Sequence, residues 1–426
     1  MTAPFVFIVL AAIAAPAPAV NQPTEPSAER VAVPAPSAQA LDYYRSGNVL
    51  WIVSQVTVLA IPVLVLFAGL SPRIRNLAQC VGRKWFFVVL VYFVIYAVLQ
   101  WVLQFPLAFY AGYVRQHAYG LSNQTFLKWL RDLLLERAIG LAFGGLLIWL
   151  PFWLIRRSPR RWWLYTAILS LPVMFFVMLV EPIWVAPMFN RFGPMTDKPL
   201  EAQILALADE AGIEGGRVFE VNKSVDTNAV NAYVTGFWSS KRIVLWDTLL
   251  AKLNARQVRV VMAHEMGHYV LNHVVQGMLG GFCGLLVALF FVYRGANFML
   301  RRYKDRFGFD QLADVASLPL LLLLAQIAAL VMMPLGLALS RHLEHEADRF
   351  ALELTRDNHA AATAFVRLQS ENLSNPTPGP LFTLFRASHP SLAERIEFAN
   401  DYRPWQQGQP LRYGSLFKHG PGREDP

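Results

Sequence analysis

The pentad HEMGH, residues 264–268, sets two histidines four residues apart with a glutamate between them. On an α-helix, positions i and i+4 share a face, so His264 and His268 present two imidazole nitrogens to one ion. Glu265 follows the first histidine, where its carboxylate reaches water on such an ion and accepts a proton as general base. Zinc suits this donor set, because it brings the pKa of bound water to about 7 and supplies a hydroxide-like nucleophile at neutral pH. Gly267, between the histidines, leaves room for another element to approach the helix. A chance HExxH is expected in on the order of one chain in a hundred of this length. Here the pentad abuts a long apolar run, where charged groups are costly unless paired or ligating.

A catalytic zinc needs a third protein ligand and an open position. The position six residues after His268 is Val274, which excludes the metzincin arrangement, and His273 reads as a helix-face or ligand-supporting residue. The other cluster is SRHLEHEAD, residues 340–348, with His342, Glu344, His345 and Glu346 as candidates. On a helical wheel Glu344 neighbours Ser340 and Ala351, the side that admits a close-packed helix. Asp348 lies four residues on, placed to orient a ligating histidine. Glu346 borders Phe350 and is more crowded. The wheel favours Glu344 and leaves the others open.

These residues need a scaffold. The chain is 55% apolar, with a mean hydropathy of +0.36, and the apolar residues gather into runs. Residues 49–70, 85–107, 139–155, 162–185, 274–293 and 318–339 each approach the ~20 residues that cross a bilayer as a helix, giving six spans. Residues 1–20 read as a signal-like segment or a first span, and 21–46 as a Pro-rich linker. Residues 47–187 form an N-terminal membrane domain of four spans. A metallopeptidase insert follows over 188–273, then a helical hairpin of two spans over 274–340. Residues 341–403 complete the site, and 404–426 read as a flexible tail.

Within the insert, residues 200–213 have helical spacing and 217–222 alternate like a strand. NAYVTG (231–236) and RIVLWD (242–247) form a β-hairpin. Asn254 caps a helix beginning near Ala255 that carries HEMGH and runs straight into the fifth span. The fifth and sixth spans share a short connection and lie antiparallel. His268, just before one, and Glu344, just after the other, then emerge at the same height.

The net charge of +9 is a matter of topology rather than of nucleic acid. Arg73, Arg75, Arg83 and Lys84 follow the first span; Arg156, Arg157, Arg160 and Arg161 follow the third; Arg294, Arg301, Arg302, Lys304 and Arg306 follow the fifth. These alternate loops share one side, cytoplasmic by the positive-inside rule, so the metal site faces the extracytoplasmic side of a bacterial-type inner membrane. Cys80 and Cys283 are too few for a disulfide framework or a cysteine metal site.

HEMGHYVLNH, SRHLEHEAD, NAYVTG with KRIVLWDTLL, ASHPSLAERI, QHAYGLSNQT and APMFNRFGP together resemble the CaaX prenyl protease 1 family of membrane zinc metallopeptidases, over residues 47–400. The resemblance implies one Zn2+ held by His264, His268 and Glu344, with Glu265 as catalytic base and Asp348 as a supporting or proton-handling acid. It implies a mainly α, polytopic fold of six to seven spans forming a chamber, with residues 1–20 as the first span and a zincin-like domain. Eukaryotic members are described with the metal domain cytosolic, whereas the basic loops here point it outward. His389, in ASHP, resembles the family's C-terminal histidine and would stabilise the oxyanion as a donor; the plain alternative is a surface or core residue. Asn231 is equally a donor to substrate backbone and a structural turn asparagine. The edge of RIVLWD or of the NAYVTG strand would pair with an extended peptide. Arg395 reads as half of a structural ion pair.

The expected function is a membrane-integrated zinc metalloendopeptidase in which Glu265 assists attack by zinc-bound water. Its partners are the bilayer and a peptide or protein substrate, membrane-associated or lipid-modified. A broad-specificity protease for damaged membrane proteins would use the same site. A non-catalytic membrane protein with a structural zinc would need a closed, four-ligand shell.

Overall fold

A computed structural model of the chain describes residues 30–235 and 242–418. The N-terminal stretch, read as a signal or first span, lies outside the described residues, as do residues 236–241 of the hairpin turn. Six helices among the described residues are long and apolar enough to cross a membrane. α1 (Ala38–Phe67) is followed by a short amphipathic α2 (Leu70–Gly82) that folds back beneath α3 (Trp85–Phe109). A π-helical turn and α4 (Arg115–Ala118) continue α3 out of the apolar zone. α5 (Phe126–Leu147) and α6 (Trp149–Arg157) make one further span, and α7 (Trp162–Val180) the next.

The second and third spans are longer than their apolar runs. The apolar runs stop at 107 and resume at 139, but between them only a short stretch around the β-bridge Ser122–Thr227 is non-helical. Thr125 caps α5 by accepting from the Lys128 amide, and Lys128, Arg131 and Asp132 then ride on the helix. Charge hid those turns, because hydropathy reports bilayer depth and not helix length.

The insert is a compact α/β unit. β1 (Phe192–Pro194), α8 (Lys198–Glu210), β2 (Arg217–Val221), β3 (Ala232–Thr235) and β4 (Arg242–Trp246) lead through α9 (Asp247–Lys252) to α10 (Ala255–Val270). The expected hairpin is half of a four-stranded sheet of order β1-β2-β4-β3. β4 pairs parallel with β2 and antiparallel with β3, so RIVLWD is interior and, of the hairpin's two strands, β3 is the one at an edge of the sheet.

α10 starts where its cap requires: Asn254 and Gln257 form a capping box, each side chain bonded to the other's backbone amide. It does not run into the fifth span. The helix ends at Val270, Asn272 takes a left-handed φ of 57°, and α11 (His273–Phe307) starts afresh. Asparagine tolerates that conformation better than most residues, and the break lets α10 lie on the sheet while α11 enters the membrane. The reverse holds at the sixth span, where α12 (Leu318–Thr355) continues unbroken from the bilayer into SRHLEHEAD. At 1.5 Å per residue its 38 residues reach about 57 Å, far beyond the ~30 Å hydrocarbon core.

α13 (Asn358–Glu371), α14 (Pro380–Phe385) and α15 (Leu392–Asp401) pack around α10 and α12. The stretch after Pro404, read from its Pro, Gly and Gln content as flexible, is packed through Lys418. Tyr413 and Phe417 are buried with Phe350, Met262 and Ile204. The buried Glu353 carboxylate accepts from the amides of Arg412 and Tyr413 at 3.0 and 2.7 Å and from the Tyr402 hydroxyl. Composition describes the segment's solubility, while two aromatic anchors and one carboxylate fix its place.

Candidate metal centre and active site

α10 and α12 cross in close contact at Gly267, where an added Cβ would lie 3.1 Å from Phe350 Cβ. This approach brings three donors together. His264 Nε2 is 3.1 Å from His268 Nε2 and 3.1 Å from Glu344 Oε2, and His268 Nε2 is 3.4 Å from Glu344 Oε1. Among the described residues this is the group of histidine, cysteine and acidic side chains placed to share one ion. Ligands at 2.0–2.1 Å from a tetrahedral zinc stand about 3.3 Å apart, and the triangle matches that edge. Two imidazole nitrogens aimed at each other, with the buried Glu344 Oε2 lacking a well-formed hydrogen bond, are arranged for a cation rather than for one another. His264 reports the same demand. Burial disfavours its charged form, yet Asp348 and Glu344 outweigh burial and lift its pKa to about 10. The residues fit the metal.

The competitors for the third position are otherwise engaged. His342 faces solvent. His345 lies against the Phe398 ring, with Arg349 Nη2 3.1 Å from its Nε2. Glu346 accepts from Arg349 at 2.6 Å and from the Tyr413 hydroxyl.

Each histidine is held from behind. His264 Nδ1 donates to Asp348 Oδ1 at 2.8 Å, fixing the tautomer that leaves Nε2 free for a metal. Asp348 is in turn clamped by Arg395, whose Nε and Nη2 donate to Oδ2 and Oδ1 at 2.8 and 2.6 Å. Arg395 thus forms an ion pair, as its reading as half of one expected, and its partner is Asp348. His268 Nδ1 lies 2.9 Å from His273 Nδ1, so one ring donates and the other accepts. His273→Ala is expected to weaken zinc binding about 10–100-fold, as loss of such outer partners does; chelator-competition titration of the purified protein checks it, and unchanged affinity would remove His273 from the centre.

A cavity of about 350 Å³ opens beside the triangle, lined by Glu265, His264, Asn231, Ala232, His389 and Arg395, among others. Glu265, Asn231 and His389 thus line one space. Burial raises the Glu265 carboxyl above its usual range, with His264 and His268 pulling the other way. His389 Nε2 is 3.3 Å from Glu344 Oε2, and its Nδ1 is 2.8 Å from Ser388 Oγ. Burial holds this imidazole below its ordinary value. Asn231 Oδ1 accepts from the Ala232 amide at 2.9 Å, a turn contact that leaves its NH2 for other acceptors. A second cavity, of about 410 Å³, lies beyond His268 and is lined by Val234 and Thr235. The free edge of β3 therefore runs from one cavity to the other past the metal ligands.

Two family profiles cover most of the chain. Residues 26–191 match the CAAX prenyl protease N-terminal region, five membrane helices, and residues 194–403 match peptidase family M48. The chain is 36% identical over 336 residues to the uncharacterized metalloprotease YhfN of Bacillus subtilis, covering 79% of each protein. It is 29% identical to CAAX prenyl protease 1 of Saccharomyces cerevisiae over 71% of this chain and 70% of that one. It is 30% identical to the CAAX prenyl protease 1 homolog of Arabidopsis thaliana over 70% of each. The crystal structure of S. mikatae Ste24p has the same fold, with a TM-score of 0.76 at 24% identity over 88% of this chain and 93% of that one.

Proposed function

Because the chain belongs to peptidase family M48, together with the CAAX prenyl protease 1 proteins, we propose that it cleaves peptide bonds with one zinc ion held by His264, His268 and Glu344 and with Glu265 as the base. It is a multi-pass membrane metalloprotease. The proposal adds the ion, the roles of the residues, the substrates and the side of the membrane. The observation that carries it is the three-donor triangle, with Glu265 lining the cavity that His264 also lines. A structural zinc would need a fourth protein ligand, and the cluster placed to share one ion among the described residues has three members.

When bound, zinc supplies Lewis acidity, lowering the pKa of water towards ~7 and polarising a carbonyl. The remaining work falls to side chains. A peptide paired along the β3 edge, with the Asn231 NH2 on its backbone, lays its scissile bond beside Glu265. Glu265 takes a proton from the attacking water at its carboxylate and delivers it to the departing amine nitrogen. His389, as a neutral imidazole, donates to the carbonyl oxygen as negative charge develops there. Asp348, fixed by Arg395, keeps the His264 ring in its working orientation and leaves proton transfer to Glu265.

The substrates we propose are peptide segments of membrane-associated or lipid-modified proteins. The names of the relatives and a site set just past the apolar part of α12 support this. A chelator such as 1,10-phenanthroline is expected to abolish cleavage of a fluorogenic peptide by the reconstituted protein, and stoichiometric zinc to restore it. Full activity in the chelator would overturn the zinc assignment. The basic residues between alternate spans support an extracytoplasmic site in a bacterial-type inner membrane. In a background with Cys80 and Cys283 replaced by Ser, a Gln203→Cys variant, on the exposed face of α8, should then react with a membrane-impermeant maleimide in intact cells. Labelling only after permeabilisation would place the site in the cytoplasm.

A further inference from the structure

Two arginines near the active site have no acidic partner among the described residues. Arg115, in α4, is buried; its Nε donates to Ser46 Oγ at 3.2 Å, its Nη2 donates to the Tyr43 carbonyl, and its guanidinium lies 3.7 Å over the Tyr43 ring. Arg386, just past α14, donates to Asn48 Oδ1 and lies over the Phe382 ring. Both groups converge on Gly47 of α1. A Cβ there would meet Arg115 Nη2 at 3.2 Å and Arg386 Nη2 at 3.7 Å. Among the described residues, no carboxylate forms a salt bridge with either. Burial and the Arg115 charge pull the Arg386 guanidinium below its ordinary value. Two half-desolvated cations around one glycine, with only neutral partners, make a pocket short of an anion.

The space around them tells which anion. The arginines line a cavity of about 320 Å³ whose other polar groups include Ser374, Asn375, Ser388 and His389. Arg386, Tyr44 and Phe382 also line a larger, apolar groove of about 710 Å³, whose other walls include Ile52, Val331 and Leu381. The groove runs between the start of α1 and the membrane part of α12, roofed by α14. Ile52, Val331 and Leu381 are 55%, 69% and 74% exposed, so the groove opens sideways where the bilayer lies. An apolar channel open to lipid and ending on paired guanidiniums fits one molecule with a chain and an anionic head. Arginine forks grip phosphate bidentately, and basic pockets between spans hold anionic headgroups.

We propose that Arg115 and Arg386 form a binding site for an anionic phospholipid, its phosphate between the two guanidiniums and one acyl chain in the groove between α1 and α12. The site adjoins His389, which lines the same cavity, but includes none of the three clustered donors, and it does not depend on the peptidase reading. The segment that carries it is tied to α12, where Arg341 Nη1 donates to the carbonyls of Thr383 and Ala387 at 2.8 Å and Ser340 Oγ to that of Ser388 at 2.8 Å. A lipid here would therefore brace the segment that leads directly to His389.

Native mass spectrometry of the purified full chain, titrated with phosphatidylglycerol or phosphatidylcholine, tests this. The wild type is expected to retain one phosphatidylglycerol at a concentration at least about tenfold below that needed for phosphatidylcholine, a ratio worth ~1.4 kcal/mol. Arg386→Gln should erase that preference, Arg386→Lys should keep most of it, and Arg301→Gln, in the basic stretch at the other end of α11, should leave it intact. Because Arg386→Lys keeps the charge, it separates lost binding from a misfolded variant. Equal retention of the two lipids, or equal loss with Arg301→Gln, would overturn the site. So would displacement of the lipid by millimolar inorganic phosphate, which would mark a site for the free ion. Displacement by a substrate peptide would assign the pocket to the peptide and equally overturn the proposal.

Discussion

Replacing Glu265 by Gln is expected to lower peptide cleavage by about 10²–10⁴-fold, the usual worth of a positioned general base. Zinc content and the unfolding temperature should stay near wild type. Gln keeps the shape and both polar atoms of the side chain but accepts no proton. Glu265 is not one of the three clustered donors, so the triangle of His264, His268 and Glu344 loses nothing when it changes. Glu265→Asp makes a useful second point. It keeps the carboxylate but withdraws it by one methylene, and a misplacement of about 1 Å costs on the order of 10²-fold. The predicted order is wild type, then Asp, then Gln, with zinc equal in all three. A Gln variant with full activity would mean another group takes the proton.

The second large effect concerns the pair behind His264. Asp348 and Arg395 are 2% and 8% exposed and joined by two hydrogen bonds. Arg395→Met leaves Asp348 charged, buried and unmatched except by His264, and breaking such a pair costs about 3–5 kcal/mol. Asp348→Leu strands Arg395 in the same way. It also removes the acceptor that holds the His264 tautomer, so zinc affinity should fall about 10–100-fold. The double variant, Asp348→Leu with Arg395→Met, is expected to recover much of the stability, because a matched apolar pair carries no unpaired charge. It should not recover zinc affinity, since His264 still lacks its partner. Thermal unfolding in detergent and chelator competition read the two quantities separately. If stability and affinity recover together, the pair serves packing alone.

What the sequence revealed followed from how local each signal is. HEMGH needs only a helix to make two ligands, and Asn254 with Gln257 marks where that helix begins. The height match between His268 and Glu344 followed from an antiparallel pair of spans, which their short connection imposes. The choice of Glu344 over its neighbours was only inclined by the wheel. What removes the others comes from far along the chain: Tyr413 takes Glu346 from 67 residues away, and Phe398 covers His345. Arg395 suffers the same distance, 47 residues from Asp348, so its partner was not legible. Helix ends were misread where polarity and secondary structure part company. The charged first turns of α5 looked like a loop, whereas the break at Asn272 lies in an apolar stretch with no Gly or Pro to announce it. The sheet order was beyond local reading as well. β2 and β4 are direct parallel neighbours although β3 separates them in sequence, and that pairing leaves β3 as an outer strand.

Zinc K-edge absorption spectroscopy on the purified wild-type protein reads the donors at the ion themselves. It is expected to show a first shell of nitrogen and oxygen donors at about 2.0–2.2 Å, with the scattering signature of two imidazoles and no sulfur. A shell with three imidazoles would place His389 on the ion in place of the open position, and one with no imidazole would place the zinc elsewhere; either would contradict the site described.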